Sequence, residues 1–178
     1  METVLKFDFF VLDFIRNNLT CVFFDGLMVF FTKLGDSGLI WIIFTVIFLI
    51  TDKYRKVGAA MAVSLIVALF VGNYYLKELV ARPRPFQLKE VYILIPKPEG
   101  YSFPSGHTMA SFAAAFALRL THKKEGTLAI ILAVFIGFSR MYLYVHFFTD
   151  VLCGALFGML FGYVGTAVVY KRLRFKLK

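Results

Sequence analysis

The stretch Val57–Leu76 reads VGAAMAVSLIVALFVGNYYL and carries no formal charge. About 20 apolar residues in a helix cross a hydrocarbon core, so this segment is predicted to span a bilayer. Four further apolar runs surround it, at Gly35–Thr51, Phe103–Thr121, Thr127–Tyr144 and Asp150–Tyr170. Together they predict an all-α membrane protein with five transmembrane helices. Composition agrees: 60% of the 178 residues are hydrophobic and 22 are Phe, and the mean hydropathy is +0.75. A soluble domain carries roughly 45–50% apolar residues, so the surplus reads as lipid-facing surface. No repeat, low-complexity tract or linker divides the chain.

Outward from the spans, the charges sort by loop. Asp52–Lys56 and His122–Gly126 are basic connections, and the tail 171–178 is Lys-Arg-Leu-Arg-Phe-Lys-Leu-Lys. All three fall on one side of the predicted bundle, which the positive-inside rule makes cytoplasmic. The net charge of +9 is thereby explained without nucleic acid, because no basic face is interleaved with aromatics. Residues 1–34 differ from the rest. Lys6, Asp8, Asp13, Arg16, Asp25 and Lys33 recur through an apolar background, and a span would bear roughly 2.5–3.5 kcal/mol for each such charge near its centre. An amphipathic helical segment in the interface is predicted, with shallow insertion of Leu19–Thr32 as the alternative. The same charges interrupt the apolar region of a signal peptide, so none is expected. Three parts result: an N-terminal segment 1–34, a transmembrane domain 35–170 and a basic tail 171–178. Cys21 and Cys153 lie far apart in apolar surroundings and are read as buried thiols, too few for a zinc site.

The opposite side receives the long loop Lys77–Ser102, which carries Lys77, Arg82, Arg84, Lys89 and Lys97. Basic residues there oppose the insertion bias and call for another purpose, such as binding phosphate. Three stretches meet on this face: Lys77–Pro85, Pro104–His107 and Ser139–Asp150. In Pro-Ser-Gly-His, Pro104 suits the first turn of a helix, and Ser105 and Gly106 leave N–H groups at the positive end of a helix dipole, a cradle for phosphate. His146 and Asp150 stand four residues apart, on one face if helical, where a carboxylate would fix the tautomer of an imidazole. Arg140 offers a planar fork for phosphate oxygens. Each residue alone has an ordinary reading: interfacial anchors for the basic residues, a hydrogen-bonded bundle histidine for His146, a helix cap for Asp150. Their convergence argues for a site, since the chain has 3 histidines and only His122 lies elsewhere.

The order Lys-x6-Arg-Pro, Pro-Ser-Gly-His and Ser-Arg-x5-His-x3-Asp resembles the type 2 phosphatidic acid phosphatase (PAP2) superfamily, relatives of the vanadium haloperoxidases and bacterial acid phosphatases. The resemblance rests on Lys77, Arg84, Pro85, Pro104, Ser105, Gly106, His107, Ser139, Arg140, His146 and Asp150 and covers about residues 35–170. It implies a PAP2-type helical bundle, of six spans in members that carry a further N-terminal helix. His146 would be the nucleophile, Asp150 its orienting acid and His107 the general acid. Lys77, Arg84, Ser105, Gly106 and Arg140 would hold the phosphate, with Arg82 and Ser139 auxiliary. No metal and no cofactor are implied. The expected substrate is a membrane lipid phosphate, undecaprenyl diphosphate first, with phosphatidylglycerol phosphate and phosphatidate as alternatives. The site would face the extracytoplasmic side of a bacterial plasma membrane. Two other functions are carried: lipid-to-lipid phosphotransfer on the same site, and non-catalytic lipid binding or transport.

Overall fold

A computed structural model describes residues 2–170; the basic tail 171–178 lies outside the described residues. Among the described residues the chain is all-helical. Helices α1 (Glu2–Leu19) and α2 (Val22–Leu34) precede a short turn, Asp36–Gly38, and α3 (Leu39–Ile50). Helix α4 (Arg55–Val67) continues through a wider π-helical segment, Ala68–Leu76, into α5 (Lys77–Val80). Then come α6 (Pro85–Leu88), α7 (Gly106–Thr121), α8 (Lys123–Tyr142) and α9 (Phe148–Val169).

Helix α7 is the centre of the bundle, packed against α9, α8 and α4. Its sequence explains why. Ala113, Ala114, Ala115 and Ala117 are fully buried, and such small side chains let neighbouring backbones approach closely, which is how helices associate where no water is released. The partner surface on α9 is a row of glycines every fourth residue. A Cβ at Gly154 would lie 2.9 Å from the Ser105 carbonyl oxygen, at Gly158 2.5 Å from that of Met109, and at Gly162 2.7 Å from that of Ala113. Gly165 carries the seam onto α4, where a Cβ would stand 2.7 Å from the Ala60 carbonyl oxygen. The outer faces are apolar and exposed, with Ile43, Ile47, Ile66, Phe70, Leu128, Ile131, Leu156 and Leu160 among them. This is lipid-facing surface of a multi-pass membrane protein.

The all-helical expectation agrees with this architecture; the spans are less uniform. By length and composition three helical runs can cross a membrane: Asp52–Leu88, Lys123–Tyr142 and Phe148–Val169. A fourth is the pair α2 and α3, bent by 46°. The bend sits at Ser37 and Gly38, with φ of +52° and +70°; Gly tolerates that region, whereas Ser is strained in it. Helix α7 has 16 residues, so at 1.5 Å per residue it is shorter than the roughly 30 Å of a hydrocarbon core. Its neighbours, rather than lipid, surround it, and they relieve the length requirement.

Residues 4–34 form α1 and α2. Helix α1 turns Asp8, Leu12 and Ile15 inward, against α8 and α9, while Phe7, Phe10 and Phe14 face outward. Helix α2 packs on α8. Cys21, read from sequence as buried, is exposed, because it caps the gap between α1 and α2 instead of sitting inside either; Cys153 is half-buried.

The glycine seam makes a direct test. In Gly158→Val the new side chain meets the Met109 carbonyl, and overpacking of this kind costs about 1–3 kcal/mol or more. A lowered melting temperature in detergent, or loss of the monodisperse species on gel filtration, is the expected outcome.

Candidate active site

The three stretches meet because main-chain bonds stitch them together. The Ser102 N–H donates to the Arg82 carbonyl (2.8 Å), and the Ser105 N–H donates to that of Asp150 (3.1 Å). Arg84 Nη1 donates to the Val145 carbonyl (3.0 Å). Between them lies a cavity of about 660 Å³ whose wall includes Lys77, Arg84, Gly106, His107, Arg140 and His146. Both candidate imidazoles thus face one space. The wall continues past Ile42, Val46, Leu65, Ile66 and Leu69, an apolar flank between α3 and α4.

His146 sits in the short loop between α8 and α9, 2% exposed. Its backbone N–H and that of Val145 both donate to the Arg140 carbonyl (3.2 and 3.1 Å), which curls the loop over the end of α8. Tyr144 has φ +60° there, a strained conformation for a bulky residue of the kind that collects at functional sites. Arg84 Nη1 lies 3.2 Å from His146 Nε2. A guanidinium can only donate, so Nε2 holds a lone pair and the ring proton is on Nδ1. That atom faces Ser102 Oγ at 3.4 Å and Asp150 Oδ2 at 3.7 Å. Burial, foremost, pushes the His146 pKa down to about 3; Asp150 raises it, and Arg84 and Arg140 lower it. The imidazole is therefore neutral at pH 7, with its lone pair on Nε2.

Asp150 is fully buried. Its Oδ2 accepts from Ser102 Oγ (2.5 Å) and from the Phe147 N–H (2.8 Å), the latter capping α9, and its Oδ1 accepts from Arg82 Nη1 (2.6 Å). His107 begins α7 and holds Asp36 Oδ1 with Nε2 at 2.8 Å. Gly35 brings the α2–α3 bend against it: a Cβ there would stand 2.9 Å from His107 Cδ2.

The cations are the unusual part. Lys77 is half-buried, Arg84 3% exposed and Arg140 2% exposed. Among the described residues none of the three has a carboxylate within 4.0 Å. Arg84 instead spends its donors on the carbonyls of Glu99, Gly100 and Val145 and on His146. Arg140 donates to Thr32 Oγ1, and its buried Nε has no partner among the described residues. Buried positive charge left without a counter-charge is costly, and a wall of such groups is suited to a multiply charged anion.

Not every residue expected from sequence lines this space. Ser105 is the N-cap of α7, its Oγ bonded to Thr108, and Ser139 donates to the carbonyl of Ile136 in its own helix. Both are fully buried and absent from the cavity wall, as are Arg82 and Asp150, which stand behind His146. Four residues were missed. Asp36 holds His107, Ser102 bridges Asp150 and His146, Asn73 presses its Oδ1 on Gly106, and Asp8 is fully buried behind Asp150. Asp8 did leave a trace in the sequence, as an acidic residue in an apolar helix; the others left none.

A helical membrane bundle with a cation-walled cavity that two imidazoles share is the class that fold and site define. The family model of the PAP2 superfamily matches residues 53–174, and the chain belongs to that superfamily. It is 40% identical over 136 residues to an undecaprenyl-diphosphatase of Sulfolobus acidocaldarius, covering 75% of this chain and 65% of that relative's length. It is 29% identical to undecaprenyl-diphosphatase BcrC of Bacillus subtilis, covering 79% and 72%. Among solved structures, the transmembrane PAP2 type phosphatidylglycerolphosphate phosphatase of B. subtilis superposes with a TM-score of 0.79 at 25% identity, covering 99% of this chain and 90% of that one. Aquifex aeolicus LpxE superposes at 0.76 with 27% identity, covering 89% and 94%.

Arg84→Lys separates a guanidinium role from simple charge. A lysine cannot serve three carbonyls and an anion at once, and charge-assisted bonds are worth about 1.5–3 kcal/mol each. Orthophosphate affinity, measured by titration calorimetry, is expected to fall at least about tenfold, together with a lower melting temperature.

Proposed function

We propose that this chain is a membrane lipid phosphatase that acts on a polyprenyl diphosphate of the undecaprenyl diphosphate type through a phosphohistidine at His146, without a metal ion. The supporting observation is the convergence of Lys77, Arg84 and Arg140, none paired to a carboxylate among the described residues, on a cavity shared by His107 and His146. Such a wall neutralises a phosphoryl group by itself. Among the described residues no group of three His, Cys, Asp or Glu side chains is gathered as a metal site would need, and the three cations on the wall would repel a metal ion. The Sulfolobus and Bacillus relatives are undecaprenyl-diphosphatases, and the apolar flank between α3 and α4 suits a hydrocarbon tail.

In this reading the three cations hold the nonbridging oxygens, and Gly106 lets the phosphate approach the start of α7. His146 Nε2 attacks phosphorus while its Nδ1 proton leans toward Ser102 and Asp150, which stabilise the positive charge that develops. The bond from phosphorus to the leaving oxygen breaks, and His107, protonated and held by Asp36 through Nε2, delivers its Nδ1 proton to that oxygen. The neutral His107 then takes a proton from water, whose oxygen attacks phosphorus and breaks the P–N bond. Inorganic phosphate leaves and His146 returns to its neutral state. Electrostatic complementarity supplies most of the rate, as phosphoryl transfer requires little else from a protein. The basic loops Asp52–Lys56 and His122–Gly126 adjoin the ends of α4 and α7 remote from Lys77 and His107, which supports an extracytoplasmic site.

Purified protein is expected to release phosphate from undecaprenyl diphosphate in detergent with EDTA present, and to be inhibited by vanadate. His146→Ala should lower kcat roughly 10³-fold or more. A protein-bound phosphoryl label that survives acid, or activity abolished by chelation, would remove this chemistry: the phosphorylated intermediate is expected to be labile in acid and stable in base. Transfer of label to a lipid hydroxyl instead of water would redirect the reading to phosphotransfer.

A further inference from the structure

The interior holds an ionic chain that the proposed chemistry does not use. Asp8, on α1, is 0% exposed. Its Oδ2 accepts from Arg82 Nη2 (2.6 Å) and from Thr149 Oγ1 (2.7 Å), and its Oδ1 accepts from the Thr149 N–H (2.9 Å). Arg82 sends its other arm to Asp150 Oδ1 (2.6 Å) and to Thr149 Oγ1 (2.8 Å). Its guanidinium lies 4.0 Å from the centre of the Phe147 ring, a stacking contact that fixes its plane. Arg82 is not part of the cavity wall, so it is no phosphate ligand.

We propose that Asp8 and Arg82 are positioning residues: a two-armed clamp from α1 that fixes the carboxylate of Asp150 and, through it, the ring of His146. The geometry gives the reason. Arg82 occupies Oδ1 of Asp150, which leaves Oδ2 turned toward Ser102 and His146. An Asp150 with Oδ1 released can rotate, and Ser102, which donates to Oδ2 at 2.5 Å, rotates with it. Arg82 in turn cannot hold its plane on one carboxylate alone; Asp8 pins the second arm. A buried network of one cation between two carboxylates contributes little net stability, so specificity of placement is the better account of it. Helix α1 lies outside residues 53–174, the span the family model matches, so the clamp makes this helix part of the site.

The inference rests on His146 as the nucleophile, and the test separates the two. Protein labelled with 15N-histidine carries 3 ring systems, assignable through His107→Gln and His122→Gln. In Asp8→Asn the His146 ring signals are expected to shift, with His122 unmoved, whether or not any substrate is turned over. Kinetically, Asp8→Asn and Arg82→Gln should each lower kcat about 10–100-fold with KM within about twofold, and the double variant should be no worse than the poorer single one. Arg82→Lys keeps the charge but not the two arms, and serves where Asp8→Asn does not fold; it should behave like Arg82→Gln. Unshifted His146 signals in the folded variants, additive losses, or a raised KM at constant kcat would overturn the clamp. A wild-type protein without phosphatase activity would instead overturn the proposed function, while the ring signals would still judge the clamp.

Discussion

Positive charge that no carboxylate pairs among the described residues, buried at one end of a helical bundle, governs how the rest is built. Placing Lys77, Arg84 and Arg140 around one cavity means desolvating groups that would each prefer water. The chain meets that cost locally. Carbonyls of Glu99, Gly100 and Val145 surround Arg84, and Thr32 supports Arg140. These partners are neutral, so they orient the guanidinium groups without cancelling their charge. A carboxylate in the same place would have stabilised the empty site at the expense of an incoming anion. Asp36, the acid on the bend between α2 and α3, is spent on His107.

Such a cluster can assemble only if segments far apart in sequence approach closely, and this is where the small residues of α7 and α9 enter. The carbonyls of Ser105, Met109 and Ala113 lie against Gly154, Gly158 and Gly162. The contact draws the start of α7 beside the start of α9, so that the Ser105 N–H reaches the Asp150 carbonyl. The helix that carries His107 is thereby locked to the one that carries Asp150. Packing in the middle of the membrane thus sets distances in the site at its edge.

What could be read from sequence and what could not divides along a physical line. Lys77, Arg84, His107, Arg140 and His146 stood out because an ionisable group in an apolar chain has few structural uses, and one cavity gathers all five. The all-helical class followed from hydropathy alone. Hydroxyls were less legible. Ser105 and Ser139 lie beside functional residues, but a serine can bond to its own helix as readily as to a ligand, and both do. Residues whose meaning comes from a partner, such as Asp36 and Ser102, carry no signal of their own, since the partners lie 71 and 48 positions away. Charge in α1 was read as a sign of the membrane interface, because cost per residue is all that hydropathy counts. Asp8 is instead fully buried and bonded, and pairing removes the cost that the count assigned.

The second attachment of α1 bears on the loop that carries His146. Tyr144, strained at φ +60°, donates its hydroxyl to Asp13 Oδ1 at 2.7 Å, and Arg16 lies 5.7 Å from the centre of its ring. Asp13 also takes the Lys89 ammonium at 2.8 Å, which ties in the long loop that follows Arg84. One face of α1 therefore touches the site at two points: Asp8 behind Asp150, and Asp13 with Arg16 around Tyr144, two residues before His146. An unfavourable backbone conformation persists only where its surroundings over-determine it, and these contacts do so. The five-residue loop between α8 and α9 has too few bonds of its own to hold an imidazole at a fixed angle. The rigidity that the proposed in-line attack on phosphorus would require is accordingly supplied from outside the loop, by the helix whose charges looked least at home in a membrane.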